Sequence, residues 1–351
     1  MISTSNSKLW KEIFEQPEMM RRCLSINTPI FKEIAAEVKA RGIKTVVFAA
    51  RGSSDHAAQL ARYLFETHCG MIASIATPAV ITCYNGNVDY SNALVIGVSQ
   101  SGGAQDVYEV MKRCDEQGGI CVSVTNERDT LMTTAGKYYI NNECGKETSI
   151  TAAKSYMTQL LILNALAAHI SGKAELISQL DKLPDIVAEA LKLEDQVRAI
   201  IPVYRNIEHM LLFGRGLLYG LAQEAELKIQ ETSYLDARSY ASSDYRHGPI
   251  ATSLRFVPAI FFIADKQTNE CIIGLHERLK EEKHIYSTIV TNDPEIAKLG
   301  DSSVLIPSQY DGLEAVYACA VFAQMFACLC ALSRDYDPDN PVGVSKHTVT
   351  R

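Results

Sequence analysis

Short, continuous apolar runs alternate along this chain with stretches of helical periodicity. Thr45 to Ala50, Ala93 to Val98 and Val122 to Val124 are such runs in the first half, and Met210 to Phe213, Ala259 to Ala264 and Thr288 to Val290 in the second. Runs of this length without polar alternation predict strands buried on both faces, as in a parallel sheet. The stretch after the first run places Ala57, Leu60, Ala61 and Leu64 at i, i+3, i+4 and i+7, a single apolar stripe that would face a sheet.

The two halves repeat one another. Thr45-Val46-Val47-Phe48-Ala49-Ala50-Arg51-Gly52 matches His209-Met210-Leu211-Leu212-Phe213-Gly214-Arg215-Gly216, and the Arg-Gly pairs lie 164 positions apart. Further along, Val122-Ser123-Val124-Thr125-Asn126 echoes Thr288-Ile289-Val290-Thr291-Asn292 with the offset drifted to 166. A duplicated strand-helix-strand-helix unit accounts for this pattern, each copy a doubly wound α/β domain. The expected organisation is a helical lead-in over 1–40, a first copy over 41–180, a connecting helix over 181–200, a second copy over 201–334 and a tail over 335–351. Ala315 to Leu332 is 18 residues long and uncharged. It contains Gln324, lacks a basic flank and stands alone, so a helix buried in the core is expected rather than a membrane span.

Charge narrows the partners. Among 351 residues, 34 Lys+Arg stand against 41 Asp+Glu, a net charge of -7 that argues against neutralising nucleic-acid phosphates. A local nest of backbone N–H groups can still bind a small anion. The ten cysteines form no C-x-x-C pair and several lie in apolar runs, the pattern of reduced core thiols in a cytoplasmic protein. Met1 to Glu12 carries no apolar segment of a secretory signal. No His or Cys spacing suits a metal, and no cofactor is expected.

Two segments close strands with small hydroxyl residues, Arg51-Gly52-Ser53-Ser54-Asp55 and Ser99-Gln100-Ser101-Gly102-Gly103. Glycine lets backbone approach a ligand while serine hydroxyls and N–H groups donate to it, which suits a phosphate; Ser and Gly also serve as ordinary helix starts. The second copy has Leu217, Leu218 and Tyr219 at the corresponding place, too bulky for such a cradle. It carries instead Glu224, Lys228 and Glu231 on one helix face, either a solvated ion-pair face or chemistry. His247, before Gly248-Pro249, falls on a turn that breaks a helix.

The combination of SQSG (Ser99 to Gly102), ARGSSDHAA (Ala50 to Ala58), AAKSYMTQL (Ala152 to Leu160), the run from Gly214 to Pro249 and the tail NPVGVSKHTVTR (Asn340 to Arg351) resembles the sugar isomerase (SIS) proteins. It is most similar to the isomerase half of glucosamine-6-phosphate synthase and to stand-alone amino-sugar-phosphate deaminases. The resemblance implies two tandem SIS subdomains, each a parallel, flavodoxin-like sheet flanked by helices. It implies that Ser53, Ser54, Ser99, Gln100 and Ser101 hold a sugar phosphate and that Glu231 moves a proton between C1 and C2. By the same likeness His247 opens the ring, supplied by the other subunit of a homodimer, and Lys346 approaches the carbonyl. Lys228 and Glu224 match positions lining that site. Ala104, Ala153 and Asp236 stand where the family usually has two hydroxyl residues and a histidine.

The synthase needs an N-terminal glutaminase that this chain, beginning Met1-Ile2, has no room for, so breakdown is the expected direction. The first expectation is an amino-sugar 6-phosphate deaminase/isomerase. A deglycase of amino-acid adducts of hexose 6-phosphates uses the same Glu and His roles and is the alternative. A non-catalytic sugar-phosphate sensor is the reading from another class, weakened by the retained Glu231, His247 and Lys346.

Overall fold

A computed structural model describes residues 3–253 and 256–346. The last five residues of the tail motif, 347–351, lie outside the described residues. The chain divides into two compact units. The first unit, which holds the first sheet, comprises residues 16–147, 154–184 and 345–351; the second comprises 1–15, 148–153 and 185–344.

The first unit is built on five strands, β1 (Thr45–Ala50), β2 (Ile72–Ile75), β3 (Leu94–Val98), β4 (Ile120–Thr125) and β5 (Tyr138–Asn141). They pair throughout in parallel, in the order β2-β1-β3-β4-β5. The second unit contains β6 (His209–Gly214), β7 (Asp236–Ala241), β8 (Pro258–Ile263), β9 (Tyr286–Thr291) and β10 (Ser302–Leu305), again all parallel and in the order β10-β9-β8-β6-β7. Read from the other edge, this is the same order, the 2-1-3-4-5 arrangement of flavodoxin-like sheets. The predicted fold class therefore holds: two flavodoxin-like parallel sheets flanked by helices.

Each apolar run is a central strand, and β3, β4 and β8 are buried at every position. The predicted stripe of Ala57, Leu60, Ala61 and Leu64 is buried on the helix Ser53–Cys69. In each unit the turn out of the first strand rests on a glycine in a conformation that side chains avoid, φ 56° and ψ -133° at Gly52 and φ 60° and ψ -129° at Gly216. The backbone of that turn is thus common to both copies although the residues after it differ.

The lead-in expected over 1–40 holds one long element. It is a helix over Lys8–Ala40 that carries Pro17 and Pro29 internally, and the division between the units falls within it. The connecting helix expected over 181–200 is broken into Leu183–Ala190 and Glu194–Tyr204 by a 3-10 turn at Leu191–Leu193, and a separate helix, Ala174–Leu180, precedes it. The long apolar segment is the helix Leu313–Ser333, buried along almost its whole length in the second unit, where Phe322 meets Phe262 of β8 edge to face. All ten cysteines are free; Cys83 and Cys271 are exposed, while Cys114, Cys121, Cys319, Cys328 and Cys330 are buried.

Candidate functional site

In the first unit β1 and β3 are neighbours, but the chain leaves β1 for β2 on one side and β3 for β4 on the other. Such a switch point opens a crevice outside the carboxyl ends of the strands, where ligands of open α/β sheets bind. Register aligns Ala50 with Val98, so the two serine-bearing segments leave the sheet at the same level. Ser53 and Ser54 begin the helix Ser53–Cys69, whose N-terminal dipole favours an anion.

The second segment is wired into place by its own backbone. Ser99 N–H donates to the Val124 carbonyl at 3.0 Å, and the Gln100 carbonyl accepts from Asn126 N–H at 3.0 Å and Thr125 Oγ1 at 3.2 Å. Gly102 N–H donates to Ser99 Oγ at 3.2 Å and its carbonyl accepts from Met132 N–H at 3.1 Å. Gly102 has φ 66°, and a Cβ there would run into the hydroxyls of Thr130 and Thr125. Ser99, Gln100 and Ser101 stay partly accessible on this frame. Ala104, where the family places a hydroxyl, caps the helix Gln105–Glu116 without a side-chain bond. Buried Asp106 in that helix's first turn takes Arg51 Nε at 2.8 Å, which ties the two segments together through their flanks.

The tail reaches this unit as well. Lys346 Nζ donates to Glu147 Oε2 at 2.9 Å, and the same carboxylate accepts Ser155 N–H at 3.0 Å and Ser155 Oγ at 2.7 Å. Glu147, Asp106 and Thr130 were not among the residues singled out from the sequence. An acid in the first turn of the helix after SQSG was the available signal for Asp106; the partner of Glu147 lies 199 positions away and leaves none.

The helix Leu217–Ser233 of the second unit buries two of the three charged residues of that face. Glu224 and Lys228 are each only 1% exposed, so this is not a surface ion-pair ladder. Lys228 Nζ donates to Glu231 Oε2 at 2.7 Å and lies 3.7 Å from Glu224 Oε1. Glu231 keeps partial access, and its Oε1 takes no hydrogen bond among the described residues. A carboxylate oriented by a buried ammonium, with one oxygen bound and one open, is arranged to take and return a proton. His247 follows the short helix Ser242–Tyr245 on an exposed turn, as its Gly-Pro context predicted, and no hydrogen bond joins it to Glu231 among the described residues. Asp236, where the family has a histidine, begins β7 and is engaged by His209 at 3.0 Å and by Arg238. Those bonds, Arg238's first, hold its carboxyl below the usual range. Ala153 is fully buried, and its carbonyl accepts from Gln324 at 3.4 Å.

With strand order, serine loops and helix-borne acid in view, comparison with known proteins is decisive for the first unit: residues 39–169 match the model of the SIS domain. That stretch resembles a SIS domain. A curated relative, the glutamine--fructose-6-phosphate aminotransferase of Aquifex aeolicus, is 27% identical over 344 residues, 97% of this chain. The chain spans only 57% of that relative's length. Among solved structures, the C-terminal domain of glucosamine-fructose-6-phosphate aminotransferase from Francisella tularensis is similar with a TM-score of 0.85 and 21% identity, over 97% of this chain and 100% of that one. Glucosamine-6-phosphate deaminase from Thermotoga maritima is similar with a TM-score of 0.78 and 21% identity, over 98% and 100%.

Proposed function

We propose that this protein is an amino-sugar 6-phosphate deaminase/isomerase, active as a homodimer. The observation that carries the reading is Glu231, a half-open carboxylate held by the buried Lys228. A sensor needs no such base, whereas moving a proton between adjacent sugar carbons does. The serine segments at the switch point suit the phosphate. Breakdown of an amino sugar is in keeping with the solved deaminase that shares this fold over 98% of the chain.

In the proposed reaction His247 of the partner subunit opens the ring, and Glu231 removes the proton from C2 and returns it to C1. The C1 aldehyde is thereby reduced to an alcohol while the C2 amine becomes an imine, with no outside oxidant. Water adds to the imine and ammonia leaves, giving a ketose 6-phosphate. Lys346, held by Glu147, approaches the carbonyl.

The test is ammonia release from glucosamine 6-phosphate. Wild type should release it. Glu231→Gln should abolish turnover while sugar-phosphate affinity stays within about threefold, since only the base is lost. Loss of binding instead would make Glu231 structural. No ammonia from wild type, but release of an amino acid from an amine adduct of a hexose 6-phosphate, would replace the deaminase by a deglycase; neither would end the enzyme reading. Mixing Glu231→Gln with His247→Ala subunits should restore part of the activity, and no rescue would remove the sharing of His247.

A further inference from the structure

Helices commonly close on a glycine in the left-handed region. The helix Leu217–Ser233, which carries Glu231, closes instead on Tyr234 at φ 53° and ψ 30°, with its N–H on the Gln230 carbonyl at 3.3 Å. A bulky residue is disfavoured in that conformation. Core packing does not compensate for it, since Tyr234 is 42% exposed. Sidechain strain of this kind, on a surface residue three positions after the proposed base, points to a use for the side chain itself.

Both its ring and its hydroxyl engage the segment that leads to Lys346. The ring meets Tyr336 edge to face, with centroids 4.8 Å apart. Tyr336 in turn lies beside the Arg334 guanidinium, 5.8 Å from its ring centroid, and Arg334 Nη1 donates to the carbonyls of Arg205 at 2.7 Å and Ile207 at 2.9 Å. The Tyr234 hydroxyl accepts Val342 N–H at 2.6 Å. Val342 is 83% exposed, so this backbone hydrogen bond, and not burial of its side chain, fastens the segment there. Tyr234, Arg334, Tyr336 and Val342 all belong to the second unit. Lys346 follows Val342 by four residues. Four residues of extended chain reach at most about 14 Å, so a fixed Val342 N–H confines the lysine to a short radius.

We propose that Tyr234 is a positioning residue: through the Val342 N–H it sets where the tail presents Lys346. Its effect on turnover rests on the deaminase reading, whereas its effect on Lys346 does not.

Tyr234→Phe keeps the ring and removes only the hydroxyl. In the full chain, hydrogen exchange at the Val342 amide and acetylation of Lys346 by acetic anhydride, both read by mass spectrometry, should each rise about fivefold, the worth of one hydrogen bond. Turnover of glucosamine 6-phosphate should fall by a similar factor, with KM within about twofold and the melting temperature unchanged, a split that a merely structural role would not produce. A residue present only to close the helix would be bettered by glycine. Tyr234→Gly should instead loosen the tail at least as much as Tyr234→Phe. If either exchange or acetylation is unchanged in Tyr234→Phe, the proposal falls, and an active wild type whose turnover the substitution leaves alone would overturn it too. A wild type that releases no ammonia removes the deaminase reading, and exchange and acetylation then decide the role of Tyr234 by themselves.

Discussion

Lys228 is a buried ammonium that forms ion pairs with the carboxylates one turn before and one turn after it. Removing one member of such a buried group leaves charge without compensation, which costs about 3 kcal/mol or more. Lys228→Met should therefore lower the urea unfolding free energy by about that amount and cut turnover as Glu231 loses its orienting donor. Unchanged stability would mean that the ion pairs do not persist in solution. A second residue-scale consequence concerns His276, buried against the face of Phe261 with Nε2 3.0 Å from Ser287 Oγ. Burial, followed by the Lys280 charge, pushes its imidazole down from 6.5 to about 4. The folded chain thus binds fewer protons than the unfolded chain between those values, so stability falls as pH drops from 6.5 and levels off below about 4. His276→Gln should flatten that part of the curve of melting temperature against pH; parallel curves for both proteins would contradict it.

At the scale of elements, the central strands and the first buried helix were legible because burial on two faces leaves an unbroken apolar run. The strands β2, β5, β7 and β10 were not. Asp236-Ala237-Arg238-Ser239-Tyr240-Ala241 and Ser302-Ser303-Val304-Leu305 lie at or beside sheet edges, half in water, and their polar content hides them. Ion pairs between residues far apart in sequence, such as Glu147 with Lys346, were equally unreadable, whereas Glu224, Lys228 and Glu231 announced themselves by helical spacing. The loop at Gly102 allows a direct check. Alanine there meets both an unfavourable φ and the hydroxyls of Thr130 and Thr125, so Gly102→Ala should weaken sugar-phosphate binding about tenfold. Equal affinity would place the phosphate elsewhere. The start of the long N-terminal helix has its own anchor. Asp339, 4% exposed, accepts Lys8 N–H at 2.7 Å, Leu9 N–H at 2.8 Å and Ser7 Oγ at 2.9 Å. Asp339→Ala removes this cap and should cost about 2 kcal/mol in thermal or urea unfolding.

For the whole molecule, duplication explains more than length. The two sheets share strand order and the conformation of the glycine after the first strand, so the scaffold was copied while its chemistry diverged. Serines stand after the first strand of one copy where the other has Leu217 and Leu218, and Glu231 lies on the helix of the second copy. The distribution of thiols gives each copy its own clock. Cys114 and Cys121 lie in the first unit and Cys319, Cys328 and Cys330 in the second, all shut away from solvent. A thiol reagent in native buffer has immediate access to Cys83 and Cys271 and partial access to Cys69, and its later reactions record each unit opening in turn. Identification of the labelled peptides over time would therefore resolve whether the twin sheets unfold together or separately.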